Sequence, residues 1–79
     1  MSQQDLERYR QVVLQRMRAK WSMMSDYMRS LPTYVFQDPQ TMQTITLSPN
    51  DAIREVENFS EIGKRIIVAE ATKIQQLQP

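Results

Sequence analysis

The sequence predicts a mostly α-helical protein with two long antiparallel helices, about residues 2–30 and 49–78, joined by an extended or short β-hairpin segment over residues 33–47. The helices are predicted because apolar residues recur every three or four positions on both sides of a proline-bounded middle. The middle is rich in β-branched and aromatic residues, which favour extended backbone. We expect residues 1–79 to form a single helical-hairpin domain.

The first helix has an apolar seam, a start signal and a stop signal. Ser2 is placed to cap the helix, and Asp5 lies in the first turn, where the helix dipole favours acidic residues. Pro32 lacks a backbone donor and disfavours helical geometry in the residue before it, so we expect the helix to end near Ser30. The seam consists of Leu6, Tyr9, Val13, Met17, Trp21, Met24, Met28 and Leu31.

The second helix has the stronger start signal. Ser48 supplies an N-cap hydroxyl, Pro49 suits the first helical position, and Asp51 brings a carboxylate to the helix N-terminus. The apolar seam that follows consists of Ala52, Val56, Phe59, Gly63, Ile66, Ile67, Ile74 and Leu77. Between the two helices, Asp38-Pro39 is typical of a type I turn, which is consistent with a hairpin.

The composition argues against an enzyme. The chain has no cysteine and no histidine, so the usual zinc and iron–sulfur ligands, a thiol nucleophile and an imidazole base are all missing. No glycine-rich phosphate loop is present. We therefore predict no catalytic, cofactor-binding or metal-binding residues.

The charge pattern and the N-terminus bear on the environment of the protein. Residues 1–30 carry six cationic and three acidic side chains, whereas residues 31–79 carry four and six, which favours packing of a basic helix on an acidic one. Charged residues interrupt any apolar run near the N-terminus, and no apolar stretch is long enough to span a membrane. We expect a protein of the cytoplasm, or of a virion or other intracellular assembly.

The apolar arc of the first helix is wider than one partner helix can cover. Val12, Met23 and Tyr27 widen it, and they would face water in a simple helical hairpin unless residues 33–47 fold back over them. Because a chain of this size is marginally stable alone, we favour an intermolecular contact over that local covering. The candidate interface residues are Val12, Met17, Trp21, Met23, Met24, Tyr27, Met28, Phe59, Gly63 and Ile66.

Two residues of the second seam carry more specific expectations. Gly63 replaces a better helix former at the centre of the seam, which predicts close approach of another helix or of a large ring. Glu70 falls on the apolar arc, where a carboxylate needs either a partner or water. In an antiparallel hairpin Glu70 faces Arg10, so an Arg10–Glu70 ion pair is one interpretation and a solvated Glu70 is the other.

These observations predict a non-enzymatic structural or assembly subunit that oligomerises with itself or docks with other protein subunits. Small helical subunits of this kind occur in virion connectors and multi-subunit machines, which is an analogy at the level of the fold. The alternative is a small nucleic-acid-binding regulator that uses the basic face of the first helix, with Arg8, Arg18 and Arg29 on the polar face and Arg16 and Lys20 beside the apolar seam.

Overall fold

The computed structural model describes residues 2–77, with side chains through Gln75. Over residues 2–77 the chain is mostly helical, as predicted, with four helices and one two-stranded antiparallel sheet. The elements in chain order are α1 (Gln3–Trp21), α2 (Asp26–Arg29), β1 (Tyr34–Gln37), β2 (Thr44–Leu47), α3 (Pro49–Glu57) and α4 (Glu61–Leu77).

The first helix starts as predicted but ends earlier. The Ser2 side chain accepts a hydrogen bond from the backbone N–H of Asp5 at 3.2 Å, so Ser2 is the N-cap of α1. The predicted helix over residues 2–30 is wrong beyond Trp21: the chain leaves helical geometry, Ser25 is extended, and a new helix begins at Asp26. The Ser25 hydroxyl accepts from the N–H of Met28 and caps the one-turn helix α2.

The second predicted helix is also two helices. Ser48 is the N-cap of α3 and Pro49 its first residue, which confirms the predicted start. The continuous helix predicted over residues 49–78 is wrong, because α3 ends at Glu57 and α4 begins at Glu61. The predicted end at residue 78 lies outside the described residues.

The turn between α3 and α4 is a Schellman-type helix end followed at once by a new cap. The N–H of Phe59 donates to the carbonyl of Val56, and the N–H of Ser60 donates to the carbonyl of Glu55. Phe59 occupies the left-handed position of this motif, with φ of 53°. The Ser60 hydroxyl then accepts from the N–H of Gly63 at 3.0 Å, so one serine stands between the end of one helix and the start of the next.

Of the two conformations predicted for residues 33–47, an extended segment or a β-hairpin, the structure has the hairpin. In the ladder Tyr34 pairs with Leu47 and Phe36 pairs with Ile45. Tyr34 and Phe36 are buried, whereas Val35 between them is exposed, so β1 alternates between core and solvent. One face of the hairpin therefore packs on the helices.

The core lies where α1, α3, α4 and the inner face of the hairpin meet. Its buried hydrophobic residues are Val13, Leu14, Met17, Trp21, Tyr34, Phe36, Ala52, Val56, Ile66, Ile67, Ala69 and Ala71. Gly63 does lie in a close approach, but its neighbour is the last turn of α3, which the prediction placed in the same helix, and not a separate helix or a ring. A Cβ atom at Gly63 would overlap the carbonyl oxygen of Glu55 and lie 2.5 Å from its carbonyl carbon. Gly63 therefore allows α4 to start directly against the last turn of α3.

Candidate functional site: a groove and two exposed surfaces on the first helices

An open groove of about 510 Å³ runs between α1 and the Tyr34 end of the hairpin. Its floor is apolar, and its rim is charged. The residues that line it are Val13, Arg16, Met17, Ala19, Lys20, Trp21, Tyr34 and Glu70. A concave apolar site with a few polar groups at its edge is the usual form of a binding pocket.

Three aromatic rings fix the wall of the groove. The Trp21 and Tyr34 rings meet edge to face with centroids 5.4 Å apart, and the Tyr34 and Phe36 rings stack at 5.7 Å. All three residues are buried. Trp21 and Tyr34 line the groove and Phe36 stacks on Tyr34, so this wall is part of the packed core.

The polar group of the groove is a phenol bonded to a carboxylate. The Tyr34 hydroxyl donates to Glu70 Oε1 at 2.6 Å, and Lys73 Nζ lies 3.6 Å from the same oxygen. Burial, and then the hydrogen bond to Glu70, raise the pKa of Tyr34 far above its ordinary value. Tyr34 therefore keeps its proton at neutral pH, and the pair holds the hairpin on α4.

The predicted Arg10–Glu70 ion pair is not formed. Arg10 Nη1 donates to the backbone carbonyl of Glu57 at 3.4 Å, and its guanidinium lies over the Phe59 ring, 5.3 Å from the centroid. Glu70 is held by Tyr34 and Lys73 instead. The prediction failed because it treated α3 and α4 as one straight helix, and the turn at Phe59 redirects α4.

The basic face of α1 differs from the one predicted from sequence. Arg18 is paired with Glu57 at 2.6 Å, and Arg29 with Asp26 at 2.5 Å. Arg8, by contrast, has no acidic side chain within ion-pair distance among the described residues, and the same holds for two further cations of α1, Arg16 and Lys20. We call the row Arg8, Val12, Arg16 and Lys20 the α1 ridge; all four are exposed.

A second exposed surface lies where α1 gives way to α2. Met23 is 94% exposed, Tyr27 71% and Met28 43%. We call these three residues the connector patch. The hairpin does not cover it, nor does it cover Val12, so the local covering considered from sequence is absent.

The remaining candidate interface residues lie in or against the core. Met17, Trp21 and Ile66 are buried side chains of the core, and Gly63 is buried against the backbone of α3. Met24 and Phe59 are partly buried and pack on the same core. The helical seam thus fills the interior of this chain. Core positions and interface positions have the same periodicity in a helix, so the sequence alone does not separate them.

Sequence reasoning missed the ion pair between a buried carboxylate, Asp38, and the partly exposed Arg65. Asp38, at the hairpin turn, is 1% exposed, and its Oδ2 lies 2.9 Å from Arg65 Nη1 of α4. Its Oδ1 accepts from the N–H of Gln40 at 2.9 Å, the local bond that the Asp-Pro turn signal implies. No sequence pattern pointed to Arg65, since the two residues are brought together only by packing.

The surroundings of Asp38 make it a source of acid sensitivity. Hydrogen bonding from the Gln40 backbone N–H lowers the pKa of Asp38; burial opposes this, and the Thr41 N–H and the Arg65 guanidinium add to the lowering. A carboxyl group whose pKa is lower in the folded state stabilises the fold above about pH 4, and this stabilisation is lost as the pH falls through the folded-state pKa.

We expect D38N to lower the urea midpoint at pH 7 and to flatten the loss of stability between pH 5 and pH 2. The amide keeps the shape of the side chain but removes its charge. The matched control is D26N, which changes a side chain that is 98% exposed and should alter neither the midpoint nor its pH dependence appreciably. Equal pH dependence in wild type and D38N would contradict this assignment.

The chain is thus a small, mostly helical protein with a two-stranded antiparallel hairpin, a groove beside α1 and two exposed surfaces. No protein-family model matches it, and comparisons with curated proteins and with solved structures find no significant match. Within the part that the structure describes, no helix is long and apolar enough to cross a membrane. No group of three or more acidic, histidine or cysteine side chains among those residues is placed to hold a metal ion.

Proposed function

We propose that this protein is a non-enzymatic assembly subunit that docks with protein chains, either further copies of itself or other subunits, through the connector patch. The observation that carries the proposal is the exposure of Met23, Tyr27 and Met28 within one short segment. Isolated exposed apolar residues are ordinary, but a cluster of large ones is typical of an interaction surface.

The chemistry of the patch fits a protein partner. Methionine is flexible and polarisable and adapts to irregular surfaces, whereas tyrosine combines a large apolar ring with a polar end. Fully burying one such side chain is worth about 1.5–3 kcal/mol. Helix α2 has no buried residue, so the segment can present these side chains to a partner without disturbing the core.

Sedimentation velocity of the full chain at micromolar concentration, together with the native mass of the complex from its source, tests the proposal. We expect a dimer, a higher oligomer or a stable heterocomplex, and we expect M23S/Y27S to shift it toward monomer. The matched control is M42S, because Met42 is 62% exposed but lies at the hairpin turn. A folded monomer in both measurements would contradict the proposal.

A further inference from the structure

We propose that the α1 ridge and the adjoining groove bind an acidic amphipathic helix of a partner protein, with carboxylates on Arg8, Arg16 and Lys20 and an apolar side chain in the groove. The inference rests on the proposed function and adds the chemistry of the partner. It uses a surface other than the connector patch, so the two can be tested separately.

The ridge holds three cations that, among the described residues, have neither an acidic partner nor contacts of the kind that hold Arg10. Six other cationic side chains of the described chain each lie within 3.7 Å of a carboxylate: Arg18, Arg29, Arg54, Lys64, Arg65 and Lys73. Arg10 is held by a backbone carbonyl and by the Phe59 ring. Arg8, Arg16 and Lys20 have no such contact among the described residues, and they lie on one helix. The ridge is therefore complementary to an acidic surface.

The spacing of the ridge fits a second helix. Positions i, i+4, i+8 and i+12 form one of the surface ridges by which helices pack into each other's grooves. At a rise of about 1.5 Å per residue the ridge is about 18 Å long, or a little over three turns. Glutamates four residues apart on a facing helix repeat at the same interval, and Val12, 39% exposed, gives such a helix an apolar contact.

The groove gives the partner an anchor beside the ridge. Arg16 and Lys20 belong to both, so a carboxylate bound there places its neighbouring side chain over the floor between Trp21 and Tyr34. A volume of about 510 Å³ exceeds that of a single aromatic side chain. Charged contacts at a rim around an apolar centre are the usual arrangement of a protein interface.

An acidic protein helix fits these features better than nucleic acid or the ridge of a second copy. Trp21 and Tyr34, the aromatic residues of the groove, are too buried to stack on bases. Two antiparallel copies of the ridge centred on Val12 would set Arg8 against Arg16, and parallel copies would set like against like. The partner therefore carries acidic residues of its own.

Fluorescence anisotropy with the full chain and a defined probe tests this inference. The probe is a labelled 20-residue helical peptide with glutamate at every fourth position of one face and leucine and phenylalanine beside them; the matched probe has glutamine instead. We expect the glutamate peptide to bind more tightly, with affinity falling as salt rises. R16Q/K20Q should weaken it about tenfold, the sum expected for two exposed ion pairs. R54Q should change it less than twofold, since Arg54 lies on α3 and pairs with Asp51.

Three outcomes would overturn the inference: no binding of the glutamate peptide, equal binding of both peptides, or equal binding by wild type and R16Q/K20Q. A 20-nucleotide RNA or a 20-base-pair DNA that binds more tightly than the peptide and depends on the same two cations would also overturn it, in favour of a polyanion site. None of these outcomes bears on whether the M23S/Y27S variant sediments as a monomer. A failed partner assignment is therefore distinguishable from a failed assembly role.

Discussion

G63A is expected to destabilise the fold by up to about 2 kcal/mol, although alanine is normally the better helix former. The added methyl would overlap the carbonyl oxygen of Glu55, a backbone atom held in place because it accepts the N–H of Ser60 at the end of α3. Overpacking of a fixed site costs about 1–3 kcal/mol and occasionally more, which exceeds the gain of about 1 kcal/mol in helix propensity. For a domain of this size, that is a large share of the total stability.

Urea unfolding followed by the fluorescence of Trp21, the only tryptophan of the sequence, measures this effect, because the indole is 7% exposed in the folded state. The matched control is T72A in the same helix. Thr72 is exposed, so its replacement should change the free energy of unfolding by less than about 0.5 kcal/mol. An unchanged or raised midpoint for G63A would show that α3 and α4 do not approach as closely as the structure has them.

The second large effect concerns the hydrogen bond between Tyr34 and Glu70. Y34F should cost about 1.5–3 kcal/mol, the usual contribution of a hydrogen bond to a charged group. The ring contacts with Trp21 and Phe36 remain in this variant, whereas the carboxylate, 19% exposed, loses its phenol donor. E70M should also destabilise, because it leaves the buried phenol without its acceptor. The double variant should lie close to wild type, since two apolar groups leave no unsatisfied polar atom.

A double-mutant cycle monitored by far-UV circular dichroism gives the coupling, and we expect about 1.5 kcal/mol or more between Tyr34 and Glu70. The same cycle between Arg10 and Glu70 should give less than about 0.5 kcal/mol, because each side chain contacts other residues. Y27F, at an exposed position, controls for loss of a hydroxyl as such. The reverse ranking of the two couplings would contradict the packing of the hairpin against α4.

The starts of α1 and α3 could be predicted because their signals are local. Ser2 and Ser48 are N-caps, and each side chain accepts a hydrogen bond from the backbone N–H three residues further along the chain. No contact with a distant part of the chain is required. The same kind of signal also stands at Ser25-Asp26 and Ser60-Glu61, where the chain does begin new helices. These two starts were not predicted because the apolar residues keep a helical spacing across the short turns before them. The pattern therefore looks like one continuous helix on each side of the hairpin.

The candidate surfaces could be predicted only in part. Val12, Met23 and Tyr27 were singled out because they widen an apolar arc, and the structure leaves all three exposed. The α1 ridge could not be defined from sequence, because whether a cation is paired depends on which acidic residues packing brings near it. Arg18 illustrates this: it meets Glu57, 39 positions further along the chain.

The bond between Asp38 and Arg65 has a consequence for how the hairpin can misfold. Two four-residue strands have few ladder hydrogen bonds to fix their register, but a slip by one residue would turn Tyr34 and Phe36 toward water and is costly for that reason. A slip would also pull Asp38 away from Arg65 and break this ion pair. The register of the hairpin is therefore fixed by two independent interactions. One is the packing of its apolar face, and the other is the ion pair of Asp38 with Arg65 of α4, 27 residues further along the chain.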